Sequence, residues 1–305
     1  MRKVLINVEA TPSCPASCTM CPRSEIKDHG FMTVETMSRI VQQVDPSFVW
    51  ELDLAGRGEP TIHPEFNELL KVMRSSSVTT AVTTTGVTLT QKNLDALESE
   101  VDLIRLSVSS IDESIFRKVH VGLDYHKIWK NVAALAEAAP KKVIVHLTGG
   151  PVIYDSLPQT VRHLRSLGLK TLNLFPLWNR GGALTVSQEH AVRRNLIKDW
   201  GLNASESEYS SHNSRLTYFV HLLRSWTVNH EFCLVGDGSI SIGYRGEILG
   251  CFQDFGHKSL MGNISHLKLK DVARQRAKVL GKMKVCEGCN SKEAAFKWPQ
   301  LLGQK

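Results

Sequence analysis

From residue 4 to about residue 200, short apolar runs alternate with stretches of helical period. Residues 4–10 (VLINVEA) read as a strand. Residues 33–44 read as a helix, with Thr33 as N-cap and Val34, Met37, Ile40, Val41 and Val44 on one face. The same reading gives strands at 50–55, 79–84, 103–108, 143–147 and 172–177. It gives helices at 63–75, 91–99, 112–119, 125–139 and 156–167, the last two stopped by Pro140 and Gly168. Six strand–helix units in series predict an α/β fold with a parallel sheet, in the form of a partial (β/α)6 TIM-like barrel. Chemistry then belongs on the loops after the C-terminal strand ends.

After Gly201 the rhythm breaks. Residues 203–214 are polar and Ser-rich and read as a linker, and 215–228 as a helix. Residues 240–242 and 247–249 read as two short strands around Gly243-Tyr244-Arg245-Gly246, and 267–280 as a helix. The expected organisation is a core over 1–200, a linker and helix over 201–230, and a small C-terminal β-hairpin/helix domain over 231–305. That last piece has too little core to stand alone, so a metal staple is expected.

Composition is that of an ordinary globular chain, with 42% hydrophobic and 22% charged residues among 305. No apolar run reaches the roughly 18 residues of a membrane span. The opening MRKVLINVEA is too short in apolar residues for a signal peptide, so a cytoplasmic protein with no membrane partner is expected. The net charge of +7 hints at anionic partners. The basic residues are scattered, however, with Lys141-Lys142 and Arg193-Arg194 only pairs, and solvated surface explains them better than nucleic-acid binding.

The seven cysteines change the picture. An odd number in a reducing compartment argues against a disulfide framework. They split into Cys14, Cys18 and Cys21 after the first strand, and Cys233, Cys251, Cys286 and Cys289 near the end, which suggests two metal sites. The triplet reads C-x3-C-x2-C. Thiolates suit iron–sulfur clusters, and three close ligands leave one iron open for chemistry. The alternative is a zinc knuckle with a distant fourth ligand, although zinc sites usually show C-x2-C pairs. The quartet reads C-x17-C-x34-C-x2-C, and taken alone it suits a zinc ribbon as well as a second cluster.

C-x3-C-x2-C after the first strand of a partial barrel resembles the radical S-adenosylmethionine (SAM) superfamily, and Met20 before the third cysteine resembles its C-x-M-C subgroup. The resemblance implies a [4Fe–4S] cluster on Cys14, Cys18 and Cys21 that binds SAM and cleaves it to a 5′-deoxyadenosyl radical. Gly56, Gly58, Glu59 and Pro60, in LAGRGEP, resemble the GGEP motif that holds the SAM amino group. Thr85, in TTTG, stands where the family commonly has Asn. Ser107 and Ser109 resemble an S-x-D segment that contacts SAM, with Ser109 in place of Asp. Arg180, in NRGG after the sixth strand, suits a carboxylate or a substrate oxygen.

Behind such a core, the C-terminal cysteines resemble a Twitch or SPASM auxiliary domain, with Gly262-Asn263-Ile264 matching its G-N-I step. The resemblance implies an auxiliary [4Fe–4S] cluster held by Cys233, Cys251, Cys286 and Cys289. A fully ligated cluster suits electron transfer. The expected reaction is oxidation or rearrangement of a small polar metabolite such as an aminocyclitol, sugar or nucleoside, with a flavodoxin or ferredoxin as electron donor. Arg180, His146 and Tyr154 are catalytic candidates by position at strand ends. All seven cysteines are assigned to clusters, which leaves no thiol to return a hydrogen atom as radical epimerases require. Only 13 residues precede Cys14, which favours a small molecule over a peptide recognised by a preceding domain. An oxidative peptide cross-linking maturase is the alternative. A zinc-stapled nucleic-acid-binding protein would leave the open triplet and the GEP strand end unexplained.

Overall fold

The computed structural model describes residues 3–180, 183–185, 190–204, 238–279, 283–287 and 289. Six parallel strands form its centre: β1 (Val4–Val8), β2 (Val49–Leu54), β3 (Thr79–Thr84), β4 (Leu103–Val108), β5 (Val143–Leu147) and β6 (Thr171–Leu174). They lie side by side in sequence order, as the repeated strand–helix rhythm requires. The helices between them are α1 (Val34–Val41), α2 (Phe66–Arg74), α3 (Gln91–Glu100), α4 (Glu113–Val119), α5 (Tyr125–Ala138) and α6 (Leu157–Ser166). Thr33, Thr90, Asp112 and Asp124 cap four of them, each side chain accepting from a backbone N–H in the first turn.

The strands alternate, apart from a register irregularity at Val49–Glu51 in β2. Leu52, Leu54, Val82, Ile104, Leu106 and Val145 are buried in the main apolar core. The intervening positions include Asn7, Asp53, Thr83, Arg105 and His146, which line a cavity on the opposite face. The inner face is therefore polar and charged. Arg105 and Glu51 are both buried, with guanidinium–carboxylate contacts of 2.7 and 2.9 Å, and Arg105 also lies 3.3 Å from Asp53.

Several elements depart from the sequence reading. The helix expected over 63–75 begins at Phe66, after a 3-10 turn at Pro60–Ile62. The sixth strand ends at Leu174 rather than at 177. Residues 203–204, expected in a linker, add a short parallel strand β7 (Asn203–Ala204) beside β6, after an unforeseen helix α7 (His190–Asp199). Two residues carry no periodicity, so such a strand is visible only through its pairing.

The expected C-terminal hairpin is present as β8 (Ser239–Ile242) and β9 (Glu247–Leu249), antiparallel. It is not isolated: β8 pairs in parallel with β1, Leu5 opposite Ser239 and Val8 opposite Ile242. A further strand, β10 (Leu260–Asn263), extends the same sheet, and α8 (Leu269–Val279) and α9 (Lys284–Glu287) follow. The helix expected at 215–228 lies outside the described residues. No helix among the described residues is long and apolar enough to cross a membrane.

Candidate functional site

The loop leaving β1 carries Cys14, Cys18 and Cys21, all free and partly buried. Its path is fixed from two sides. At the β2 end, Glu59 N–H donates to the Ser13 carbonyl at 2.9 Å. A Cβ on Gly58 would stand 2.1 Å from the Thr11 carbonyl oxygen and 2.4 Å from that of Ser13, so only glycine admits this approach. Arg23 ties the loop together by donating from Nη1 to the carbonyls of Pro12 and Arg57, each at 2.9 Å. At the α4 end, Ser17 N–H donates to the Val121 carbonyl at 2.8 Å and Thr19 N–H to that of Val119 at 3.0 Å. Between those carbonyls lies His120, buried, with Nδ1 3.3 Å from Cys18 Sγ.

Burial pushes the Cys14 thiol up to about 11 and the Cys18 thiol up to about 12, the latter with further repulsion from Cys14 and Cys21. Burial also raises Cys21, opposed by the nearby Arg180 and Arg23 charges. Thiolates in such a place need a compensating cation, and iron provides it while displacing the protons. Three soft donors on one loop, close enough to repel one another, fit a cluster. No three His, Cys, Asp or Glu side chains among the described residues close around a single metal ion.

Burial also holds the His120 imidazole down at about 4, hence neutral.

Beside the cysteines, Glu59 is buried and accepts five hydrogen bonds. Oε1 receives Thr61 N–H at 3.2 Å, Thr61 Oγ1 at 2.7 Å and Thr84 Oγ1 at 2.5 Å. Oε2 receives Thr85 N–H and Thr85 Oγ1, both at 2.8 Å. Both donors of Thr85 are thus directed to Glu59, which makes Thr85 a buttress for that carboxylate. Pro60 opens the 3-10 turn that Glu59 caps. A Cβ on Gly56 would press against Glu9, 2.6 Å from its Cβ. Ser107 pairs with His146 across β4 and β5. Ser109 is fully buried, and its hydroxyl has no partner among the described residues. Met20 packs, partly buried, against the core.

Inside the barrel mouth lies a cavity of about 180 Å³. Asp53, Arg105, His146, Arg180 and Asp254 supply charge or polarity to its wall, and Trp50, Phe175 and Phe255 supply aromatic surface. The His146 ring lies tilted against Phe175, with ring centres 4.3 Å apart. Arg180 has a left-handed backbone (φ 50°), and its guanidinium sits 5.0 Å from the Phe255 ring centre while donating to Gln253 Oε1 at 3.3 Å. Tyr154 follows the 3-10 turn Gly150–Ile153 and does not contribute to the cavity wall.

Three features were not anticipated from the sequence. One is His120. Another is the buried pair of Arg57 with Glu9, Nε and Nη2 each 2.7 Å from one carboxylate oxygen. The third is Arg57 Nη1 donating to the Phe255 carbonyl at 3.1 Å, which binds the β2 end to the C-terminal segment. Alternation in WELDL was the available signal for the charged inner face, since it puts Glu51 and Asp53 opposite Leu52 and Leu54.

Of the C-terminal cysteines, Cys251 is buried and its Sγ accepts from Gln253 N–H at 3.4 Å. Cys286 lies on α9 and Cys289 just beyond it, with Cys289 N–H donating to the Cys286 carbonyl at 3.3 Å. Cys233 lies outside the described residues, as do Gly181 and Gly182 of the NRGG segment.

The family model described as "Radical SAM superfamily" matches residues 8–164. The chain is 28% identical over 184 residues to the tungsten-containing aldehyde ferredoxin oxidoreductase cofactor-modifying protein of Pyrococcus furiosus. That match covers 56% of this chain and 51% of the relative, so the chain spans about half of that protein's length. Among solved structures, Streptococcus suis SuiB bound to precursor peptide SuiA matches with a TM-score of 0.72 and 14% identity, over 96% of this chain and 70% of that one. BtrN in complex with AdoMet and 2-DOIA matches with a TM-score of 0.60 and 21% identity, over 95% and 94%. These two likenesses establish the shared fold. With half of the chain matched by the family model, over the strands and loops that hold the cysteine triplet and Glu59, the chain belongs to the radical SAM superfamily, whose members bind a [4Fe–4S] cluster and SAM.

Proposed function

We propose that the protein oxidises or rearranges a small polar metabolite of the aminocyclitol, sugar or nucleoside kind. The observation that carries this reading is the cavity of about 180 Å³, walled by charges of both signs and by aromatic rings. It has room for one small ring with polar substituents, and ligand sites of this type combine apolar walls with a few placed polar groups. BtrN, which matches along nearly its whole length, is named in complex with AdoMet and 2-DOIA, and that likeness supports the same reading.

In this proposal Cys14, Cys18 and Cys21 hold the SAM-binding cluster, and Cys233, Cys251, Cys286 and Cys289 hold an auxiliary one. With SAM bound, the first cluster would supply the electron that releases a 5′-deoxyadenosyl radical for hydrogen-atom abstraction, and the second would supply a one-electron sink. Glu59, its carboxylate oriented by five donors, receives the SAM ammonium, and the close approach at Gly58 lets the strand end lie against the cofactor. Arg180 holds a substrate oxygen from the cavity wall, and His146 stands where it can accept a proton from a substrate hydroxyl. Tyr154, away from the wall, has no role in this scheme. A flavodoxin or ferredoxin in the reducing cytoplasm provides the electron.

A second reading, oxidative cross-linking of a ribosomally made peptide, is favoured by the likeness to SuiB bound to its precursor peptide.

Anaerobic reconstitution tests the proposal. Iron, sulfide and zinc are counted in the native chain and in the Cys14→Ala, Cys18→Ala, Cys21→Ala triple variant. Two clusters predict about eight irons falling to about four. About four irons with one zinc would remove the electron sink and the oxidation reading with it. Incubation with SAM, reductant and panels of aminocyclitols, nucleosides and peptides then separates the two substrate classes.

A further inference from the structure

We propose that His120 is a positioning residue for the SAM-binding cluster: its Nδ1–H donates a hydrogen bond to the Cys18 sulfur and raises the reduction potential of the cluster that sulfur holds. The inference rests on the ligand role given to Cys18 above.

The geometry is that of a built contact. Cys18 sits between Ser17 and Thr19, and His120 sits between Val119 and Val121. The N–H groups of Ser17 and Thr19 bind the carbonyls of Val121 and Val119. This two-bond clamp sets one short segment against the other in fixed register, with the imidazole over the sulfur at 3.3 Å. Gly122 continues the segment with φ +91°, and a Cβ there would stand 3.0 Å from the Pro15 carbonyl oxygen. The ring itself is held. His120 N–H donates to the Phe116 carbonyl at 2.8 Å, and the imidazole lies tilted on the Phe116 ring at 4.9 Å. Only 2% of the residue is exposed.

The tautomer follows from the partners. Nε2 is buried and has no hydrogen-bond partner among the described residues. A proton on Nε2 would leave a buried donor unmet and turn the Nδ1 lone pair toward an electron-rich sulfur. A proton on Nδ1 instead meets that sulfur, leaving only an unmet acceptor, which is the milder defect. Hydrogen bonds to cluster sulfurs and their shielding from solvent set the potentials of such clusters. One-electron reduction adds negative charge to the cluster and its thiolates, so a donor at Cys18 stabilises the reduced form more than the oxidised one.

The experiment is an EPR-monitored redox titration of the anaerobically reconstituted full chain, following the signal that changes on adding SAM. Native protein is compared with His120→Leu, which removes the donor, and His120→Asn, whose amide nitrogen can reach the position of Nδ1. Iron per chain is counted for each. The expected result is a midpoint shifted to more negative potential in H120L and restored toward native in H120N, at equal iron content. Equal midpoints in all three would overturn the inference while leaving the proposed function intact. Should H120L fail to hold iron, pulsed EPR of native protein labelled with ¹⁵N-histidine decides: a weak nitrogen coupling on the SAM-responsive signal is expected, and its absence would overturn the inference. No SAM-responsive cluster signal in native protein would overturn the proposed function and this inference together.

Discussion

Thr85 gives both of its donors to one oxygen of Glu59, the backbone N–H and the hydroxyl each lying 2.8 Å from Oε2. A hydrogen bond to a charged group is worth about 1.5–3 kcal/mol. Glu59→Gln loses the negative charge and turns an amide toward a donor. SAM affinity is expected to fall by about tenfold or more, since about 1.4 kcal/mol is a factor of ten. Thr85→Val keeps the N–H and removes the hydroxyl, so a smaller loss is expected. Equilibrium dialysis with SAM on reconstituted protein measures both.

Arg57 and Glu9 form a buried ion pair, and removing the cation strands the carboxylate. Breaking one partner of such a pair costs about 3–5 kcal/mol. Arg57→Met is therefore expected to lower the urea midpoint strongly. Arg57→Lys should recover only part, because one ammonium cannot serve both Glu9 oxygens and the Phe255 carbonyl together.

Gly58 admits no side chain, with backbone oxygens of the cysteine loop 2.1 and 2.4 Å from where a Cβ would lie. Gly58→Ala should push that loop off the β2 end. The expected result is loss of the iron that depends on Cys14, Cys18 and Cys21, while iron that depends on the C-terminal cysteines stays. Iron analysis of Gly58→Ala in native and triple-cysteine backgrounds checks this.

His63 accepts Glu65 N–H at Nδ1 (3.0 Å), and its Nε2 lies 2.8 Å from the Met32 carbonyl oxygen. Burial lowers its pKa in the folded chain, so the unfolded chain binds the proton first as pH falls. The stability from neutral His63 is fully present above the ordinary value of about 6.5 and is lost as pH falls from there through the lower folded value. Denaturant midpoints should decline from pH 7 toward pH 5. In His63→Gln, which starts from a lower midpoint, the decline should be shallower. Equal slopes would remove His63 from the account.

The strands and the cysteine triplet were legible because their signals are local. The spacing of Cys14, Cys18 and Cys21 and the alternation of β2 each fit in a few residues of chain. Glu59 was legible as part of a strand end, but three of its five donors were not, because Thr84 and Thr85 reach it from the end of the next strand. His120 was invisible for a stronger version of the same reason: its partner lies 102 positions away. In sequence it is one histidine at the end of an amphipathic helix, where a core role is the ordinary expectation. Arg57 stands between the two glycines of LAGRGEP, and nothing local in the sequence marks it. Only the packing of Glu9 and Phe255 around it reveals a structural keystone.

The parallel pairing of β1 with β8 joins strands far apart in the sequence. During vectorial synthesis β1 emerges before β2 and long before β8, so its other edge stays bare until Ser239–Ile242 leave the ribosome. An unpaired edge is a template for wrong partners. Closing a contact so distant in sequence is also entropically slow. A chain truncated or stalled before β8 would thus expose Leu5–Val8, the strand that launches the cysteine loop, which couples that loop to a part of the sheet made much later.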